Sequence, residues 1–199
     1  MKIAVLALQG AFIEHEEVLS ALGAECVELR NADDLRQDFD ALVLPGGEST
    51  VQGKLLRESG MFEPLKERIE AGMPVLATCA GMILLADKIA GDDARHFATI
   101  PMTVKRNAYG RQLGSFHAYG ELETVGEVPM TFIRAPYVVS AEDGVEVLAK
   151  VDGRIVAVRY GNQLALAFHP ELDDDRQVHR LFVNMVEAYL HGSQQRHSA

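Results

Sequence analysis

Pro74-Val75-Leu76-Ala77-Thr78-Cys79-Ala80-Gly81-Met82 reads as a short buried strand, a tight turn and the start of a helix. Val75 and Leu76 supply the apolar run of the strand. Met82, Leu85, Ala86 and Ile89 recur at helical spacing, which predicts a helix from Ala80 through Ile89. Cys79 falls where strand gives way to helix, among small residues, the setting in which a sharp turn lifts a reactive side chain clear of a sheet. Unpaired N–H groups and the positive dipole end of the helix favour a thiolate there. Taken alone, a buried structural cysteine is the commoner reading, because cysteine is among the most buried residue types. The rest of the chain shifts that balance.

On both sides of this stretch, apolar runs alternate with helical patterns. Ile3 to Leu8 is a continuous apolar run, as for a strand covered on both faces, and a helix follows to about Leu22 with Gly23 as its stop. Cys26–Leu29 and Ala41–Leu44 read as further strands. Ser49 or Thr50 is placed to cap the next helix, and another helix spans about Glu63 to Ala71. This alternation predicts an α/β fold: an open, mostly parallel central sheet with flanking helices. From about Phe97 the texture changes to short strand-like runs: Thr99–Val104, Gly114–Tyr119, Met130–Ile133, Val145–Val151, Ile155–Tyr160 and Gln163–Phe168. Asp152-Gly153 between two of them signals a hairpin, so antiparallel strands are expected in the C-terminal half. A last helix begins near Asp173–Asp175, with Val178, Leu181, Phe182, Met185, Val186 and Tyr189 as its apolar stripe.

The 199 residues suffice for one domain, expected over 1–191 with a polar tail over 192–199. A net charge of −10 argues against a nucleic-acid partner. Cys26 and Cys79 make neither a disulfide framework nor a zinc motif, and a reducing cytoplasmic setting fits them. The short N-terminal apolar run lacks a cleavage pattern and is followed by Glu14, Glu16 and Glu17, so it reads as a strand and not as a leader. No apolar stretch reaches membrane-spanning length, and no membrane partner is expected.

Three further stretches carry chemistry. Pro45-Gly46-Gly47-Glu48-Ser49-Thr50 lies between a strand and a helix, where two glycines allow backbone N–H groups to approach a ligand. It lacks the lysine of a Walker loop. His169-Pro170-Glu171 follows the run Leu164–Phe168. In an extended chain, residues two apart point the same way, so Glu171 is placed to orient His169. Cys79 and His169 both fall at carboxyl ends of strands, where ligands bind in open α/β sheets. Lys105-Arg106-Asn107-Ala108-Tyr109-Gly110-Arg111 and Arg134-Ala135-Pro136 supply arginines able to hold a carboxylate, although solvated surface arginines are the plainer reading of any one of them.

Ala77-Thr78-Cys79-Ala80-Gly81 together with His169-Pro170-Glu171, about ninety residues on, resembles the triad (class I) glutamine amidotransferases, whose fold is flavodoxin-like. Leu8-Gln9-Gly10, the Pro45–Thr50 stretch, Arg106-Asn107 with Tyr109-Gly110-Arg111, Phe132–Pro136 and Phe168–Leu172 together resemble the glutaminase subunits of pyridoxal 5′-phosphate synthases, from Ile3 to about Leu190. Ala77 departs from the glycine usual in the broader class and only tightens the turn slightly. The resemblance implies Cys79 as nucleophile, His169 as base and acid, and Glu171 as its orienter. It implies an oxyanion hole from the N–H groups of Gly47 and Ala80. Gly47, Glu48, Ser49, Arg106, Ile133 and Arg134 would line the pocket for L-glutamine. It further implies hydrolysis of L-glutamine to L-glutamate and ammonia without metal or cofactor. Ammonia would pass to a barrel-shaped synthase subunit in a large hetero-oligomer for vitamin B6 biosynthesis. The rival readings are the glutaminase of another amidotransferase, such as imidazole glycerol phosphate synthase, a cysteine peptidase or stress protein of similar fold, and a non-enzymatic binding module.

Overall fold

The N-terminal apolar run forms strand β1 (Lys2–Leu6), buried from Ile3 onward. A computed structural model describes residues 1–107 and 114–197. Helix α1 (Phe12–Ala21) follows, and Gly23 at φ +88° turns the chain into β2 (Glu25–Leu29). Next come β3 (Ala41–Leu44), α2 (Ser49–Glu58), α3 (Phe62–Glu70) and β4 (Val75–Thr78). Every residue of β3 and β4 is buried, as the continuous apolar runs require of strands covered on both faces.

After Cys79 the structure departs from the periodicity. Helix α4 covers only Ala80–Leu85, and Ala86–Ile89 is strand β5. All six α4 residues are buried, so their spacing does not separate helix from strand. Ala86 is extended (φ −66°, ψ 137°) because β5 pairs in parallel with β6 (Ile100–Lys105), Ala86 beside Ile100 and Ile89 beside Val104. Tertiary pairing overrides local pattern here.

The C-terminal half adds β7 (Ser115–Leu122), β8 (Gly126–Ile133), β9 (Tyr137–Ala141), β10 (Glu146–Val151), β11 (Arg154–Tyr160) and β12 (Gln163–Leu166). Strand β9 was not legible in the sequence. The Asp152-Gly153 turn joins β10 to β11 with both residues at positive φ (+49° and +75°), as a two-residue hairpin of the primed type demands. Helix α5 (Gln177–His197) closes the chain, its first N–H accepted by Asp175 Oδ1 at 2.7 Å. It continues helical through most of the stretch expected as a polar tail.

The main sheet runs β2-β1-β3-β4-β12-β11-β9-β6-β5, with β10 on β11. Strands β2, β1, β3, β4 and β12 are parallel; β12–β11, β11–β9 and β9–β6 are antiparallel. From β1 the chain crosses first to one side and then to the other, so the sheet has a switch point between β1 and β3. Strands β7 and β8 form a separate antiparallel ribbon. Val128, Met130 and Phe132 alternate inward from β8, and Phe132 stacks on Phe116 and meets the edge of Phe168. That packing sets the end of β8 over the carboxyl ends of β4 and β12.

Candidate active site

The loops after β1, β3, β4 and β12 meet at one cleft of about 350 Å³, near the small end of ligand pockets at roughly 300 Å³. Cys79 is the turn between β4 and α4. Its N–H donates to Leu166 O at 2.8 Å, and its backbone sits at φ 48°, ψ −99°. Such a conformation is strained for a residue with a Cβ and persists only where the surroundings enforce it. Gly81 permits the close seat: a Cβ there would lie 2.1 Å from Leu44 O. The Cys79 thiol donates to Ile133 O of β8 at 3.8 Å.

His169 follows β12, with its N–H donating to Thr131 O at 2.8 Å. The next residues are not extended, as expected from sequence, but form a 3-10 turn over Pro170–Leu172. The turn still brings Glu171 Oε1 to 2.7 Å from His169 Nδ1. Burial alone lowers the His169 pKa, but hydrogen bonds to Cys79 and Glu171 and their charges outweigh it and push it up to about 10. For Glu171 burial works to raise the pKa, and the neighbouring His15 together with the His169 contact overcomes it and holds the carboxyl low. The imidazole therefore keeps its proton in the cleft it shares with the Cys79 sulfur, with the carboxylate kept ionised behind it.

Gly46, Gly47, Glu48, Ser49, Arg106, Ile133 and Arg134 all border the same cleft as Cys79 and His169. Gly47 lies at φ +154°, a region open in practice to glycine, and Glu48 N–H donates to Gln9 Oε1 at 2.8 Å. That side chain from the loop after β1 holds the turn, and neither Ser49 nor Thr50 caps α2. The cap residue is Glu48, without a side-chain bond. Ser49 Oγ is buried without a partner among the described residues, and Thr50 Oγ1 accepts from Arg106 Nη1 at 3.0 Å. Arg106 is also ion-paired to Asp92, which sequence reading did not foresee. Ala80 is the first residue of α4, where N–H groups lack intrahelical acceptors. Tyr109, Gly110 and Arg111 lie outside the described residues.

A model of the SNO glutamine amidotransferase family matches residues 5–188. The chain belongs to that family. A pyridoxal 5′-phosphate synthase subunit PdxT from Desulfitobacterium hafniense (strain Y51) is 64% identical over 186 residues, covering 94% of each chain. Its counterpart from Streptococcus pneumoniae (strain ATCC 700669 / Spain 23F-1) is 55% identical over 190 residues, covering 94% of this chain and 98% of its own. A solved glutamine amidotransferase superposes with a TM-score of 0.88 at 43% identity, covering 93% of this chain and 98% of that one. A second solved glutamine amidotransferase, from Thermotoga maritima, shares the fold at 15% identity and TM-score 0.61, covering 98% of this chain and 85% of that one. The chain is thus a glutamine amidotransferase with a mostly parallel central sheet, as its sequence led one to expect.

One glycine bears directly on the seat of the His169 imidazole. A Cβ on Gly46 would lie 2.2 Å from His169 Cε1 and 2.9 Å from Nδ1. Gly46 is not among the positive-φ residues, so alanine suits the backbone and only the imidazole must yield. Gly46→Ala is expected to lower turnover by about 10²-fold, the scale of an ångström of misplacement. Thermal melting should be little changed. A Gly46→Ala protein with normal kcat would show that the imidazole seat tolerates displacement.

Proposed function

We propose that this chain is the glutaminase subunit of a pyridoxal 5′-phosphate synthase and that Cys79, His169 and Glu171 hydrolyse L-glutamine. The observation that carries the reading is the His169 imidazole, hydrogen-bonded to Glu171 at 2.7 Å and bordering the same cleft as Cys79 and two arginines. The Cys79 thiolate attacks the side-chain amide carbon. Backbone N–H groups of Gly47 and Ala80 receive the charge that develops on oxygen, an effect worth on the order of 10²-fold or more per donor. His169 gives its proton to the departing ammonia, then takes one from water as that water cleaves the thioester to glutamate. Arg106 and Arg134 suit the substrate α-carboxylate. Ser49, with its unpartnered buried hydroxyl, and Glu48 and Ile133 complete the pocket.

Ammonia then passes to a barrel-shaped synthase subunit within a hetero-oligomer, in the cytoplasm. The names of the 64% and 55% identical relatives favour this over an imidazole glycerol phosphate synthase glutaminase. Among the described residues no helix is long and apolar enough to cross a membrane. Both cysteines are free, which suits a reducing compartment.

Hydrolysis without an acceptor wastes glutamine, so activity should depend on the partner. Gly46-Gly47 supplies the means, since a glycine pair turns its peptide at little steric cost and a partner that binds one orientation better shifts the population. Gly47→Val places a Cβ 2.5 Å from Gln9 Oε1 at a φ that valine resists. It is expected to cut partner-stimulated turnover at least tenfold while complex formation survives. The test is steady-state glutaminase turnover of the chain alone and with excess synthase subunit. Full activity in isolation, unchanged by the partner, would refute the dependence and leave the triad chemistry standing.

A further inference from the structure

Behind the triad, away from the cleft, two histidines stand that the amide chemistry does not use. His15 projects from α1 and His179 from α5, and both are 0% exposed. Helix α1 packs against the Pro170–Leu172 turn and against α5, which brings the two rings together at Glu171. His15 Nδ1 lies 2.9 Å from His179 Nε2. His15 Nε2 lies 3.4 Å from Glu171 Oε2 and 3.2 Å from Oγ1 of Thr78, the residue before the nucleophile. Among the described residues no set of three or more His, Cys, Asp or Glu side chains is arranged to hold a metal ion.

The proton positions follow from what each partner accepts. An ionised carboxylate has no proton to give. The His15 nitrogen facing Glu171 must therefore carry hydrogen, which reaches the Thr78 hydroxyl oxygen at 3.2 Å and stands beside Oε2 at 3.4 Å without a hydrogen bond to it. His15 Nδ1 is then a bare acceptor, so His179 donates from Nε2 and keeps Nδ1 bare. His179 Nδ1 is the ring nitrogen left buried without a partner, as this assignment requires. The opposite tautomer would aim a lone pair at a buried carboxylate whose Oε2 has no hydrogen-bond partner among the described residues and has the His15 nitrogen 3.4 Å away. Burial holds both rings below the ordinary histidine value, His179 at about 3, against the pull of Glu171. The pair is thus neutral and serves as a chain of donors.

We propose that His15, held by His179, is a positioning residue for the glutaminase reaction: its Nε2–H, set 3.4 Å from the far oxygen of Glu171, attracts that oxygen so that the near one stays on His169 Nδ1. The role rests on the Cys79–His169–Glu171 reading above. Without the donor, Glu171 loses its register or its charge, and the imidazolium that stabilises the Cys79 thiolate is weakened. The groups that set the titration around His15 are Glu171, His169, His179 and Glu14.

The test uses the full chain with its synthase subunit. His15→Leu should lower kcat roughly ten- to a hundredfold, the range for partners that orient a reacting group, with KM for glutamine unchanged. The acid limb of Cys79 alkylation against pH should move upward. His15→Gln, which keeps an N–H near the Nε2 position, should recover most of the rate. A His15→Leu enzyme with wild-type kcat and an unmoved alkylation profile overturns the proposal. If His15→Leu does not fold, 15N NMR of the unmodified protein decides: a neutral His15 ring protonated at Nε2 supports the role, and an Nδ1–H tautomer or a charged ring overturns it. A parallel Cys79→Ser control separates the two levels. An active Cys79→Ser would discard the triad, whereas an inactive one beside an unaffected His15→Leu discards only the role of His15.

Discussion

Cys79→Ser is expected to lose glutamine hydrolysis by on the order of 10⁴-fold or more, measured with the synthase subunit present. The geometry gives the reason. The sulfur sits on a strained turn (φ 48°) where only a narrow range of positions serves, in the same cleft as His169 and in reach of Ile133 O. Serine fits that space, so the fold should survive, but a hydroxyl beside an imidazolium does not ionise as a thiol does. The imidazole, pushed up to about pKa 10, is already charged at neutral pH. It is a poor base for a hydroxyl. Near-normal turnover in Cys79→Ser would remove Cys79 as the nucleophile.

Glu171→Gln is the second large effect, a fall in kcat of roughly 10²- to 10⁴-fold with little change in KM, and milder than His169→Ala. Glutamine is nearly the same shape, so the loss reports the charge. The carboxylate now accepts at 2.7 Å from His169 Nδ1 and stands 3.4 Å from His15 Nε2. An amide can serve one neighbour with its oxygen and must offer an NH₂ to the other, a donor facing a donor. The sign of the pH effect follows from the raised His169 pKa. The imidazolium persists up to about pH 10 in the unmodified protein and should be lost at lower pH once the negative charge is removed. The matching change in thiolate stability should move the acid limb of Cys79 alkylation upward. Unchanged turnover in Glu171→Gln would take the carboxylate out of the triad.

Much of this was legible in the chain because buried parallel strands write themselves as apolar runs. Ala41–Leu44 and Val75–Leu76 marked β3 and β4, and the residues after them marked the site. The His169–Glu171 pair was also legible, although an extended segment was expected and a 3-10 turn found. What failed did so where tertiary pairing decides. Asp87 and Lys88 lie between the apolar Ala86 and Ile89 in a pattern that suits a helix, and pairing with β6 makes it a strand. His15 escaped notice because a single histidine in an amphipathic helix looks ordinary. Its place on the buried face beside Leu19 was the available signal. His179 lay next to Val178 within the α5 stripe and was missed for the same reason. The Arg106–Asp92 pair joins residues fourteen apart across a segment that contains β6, which no local pattern encodes.

The central claim is that Cys79 is the residue that meets the amide carbon of glutamine, and one measurement addresses it most directly. The complex is treated with a glutamine analogue bearing an electrophile in place of the amide, and its cysteine peptides are identified by mass spectrometry. The chain contains one competing thiol, Cys26, half-buried on β2, where burial pushes the thiol pKa up and keeps it protonated. A single adduct on Cys79, blocked by excess L-glutamine, is the predicted result; an adduct on Cys26 with Cys79 unmodified would contradict it.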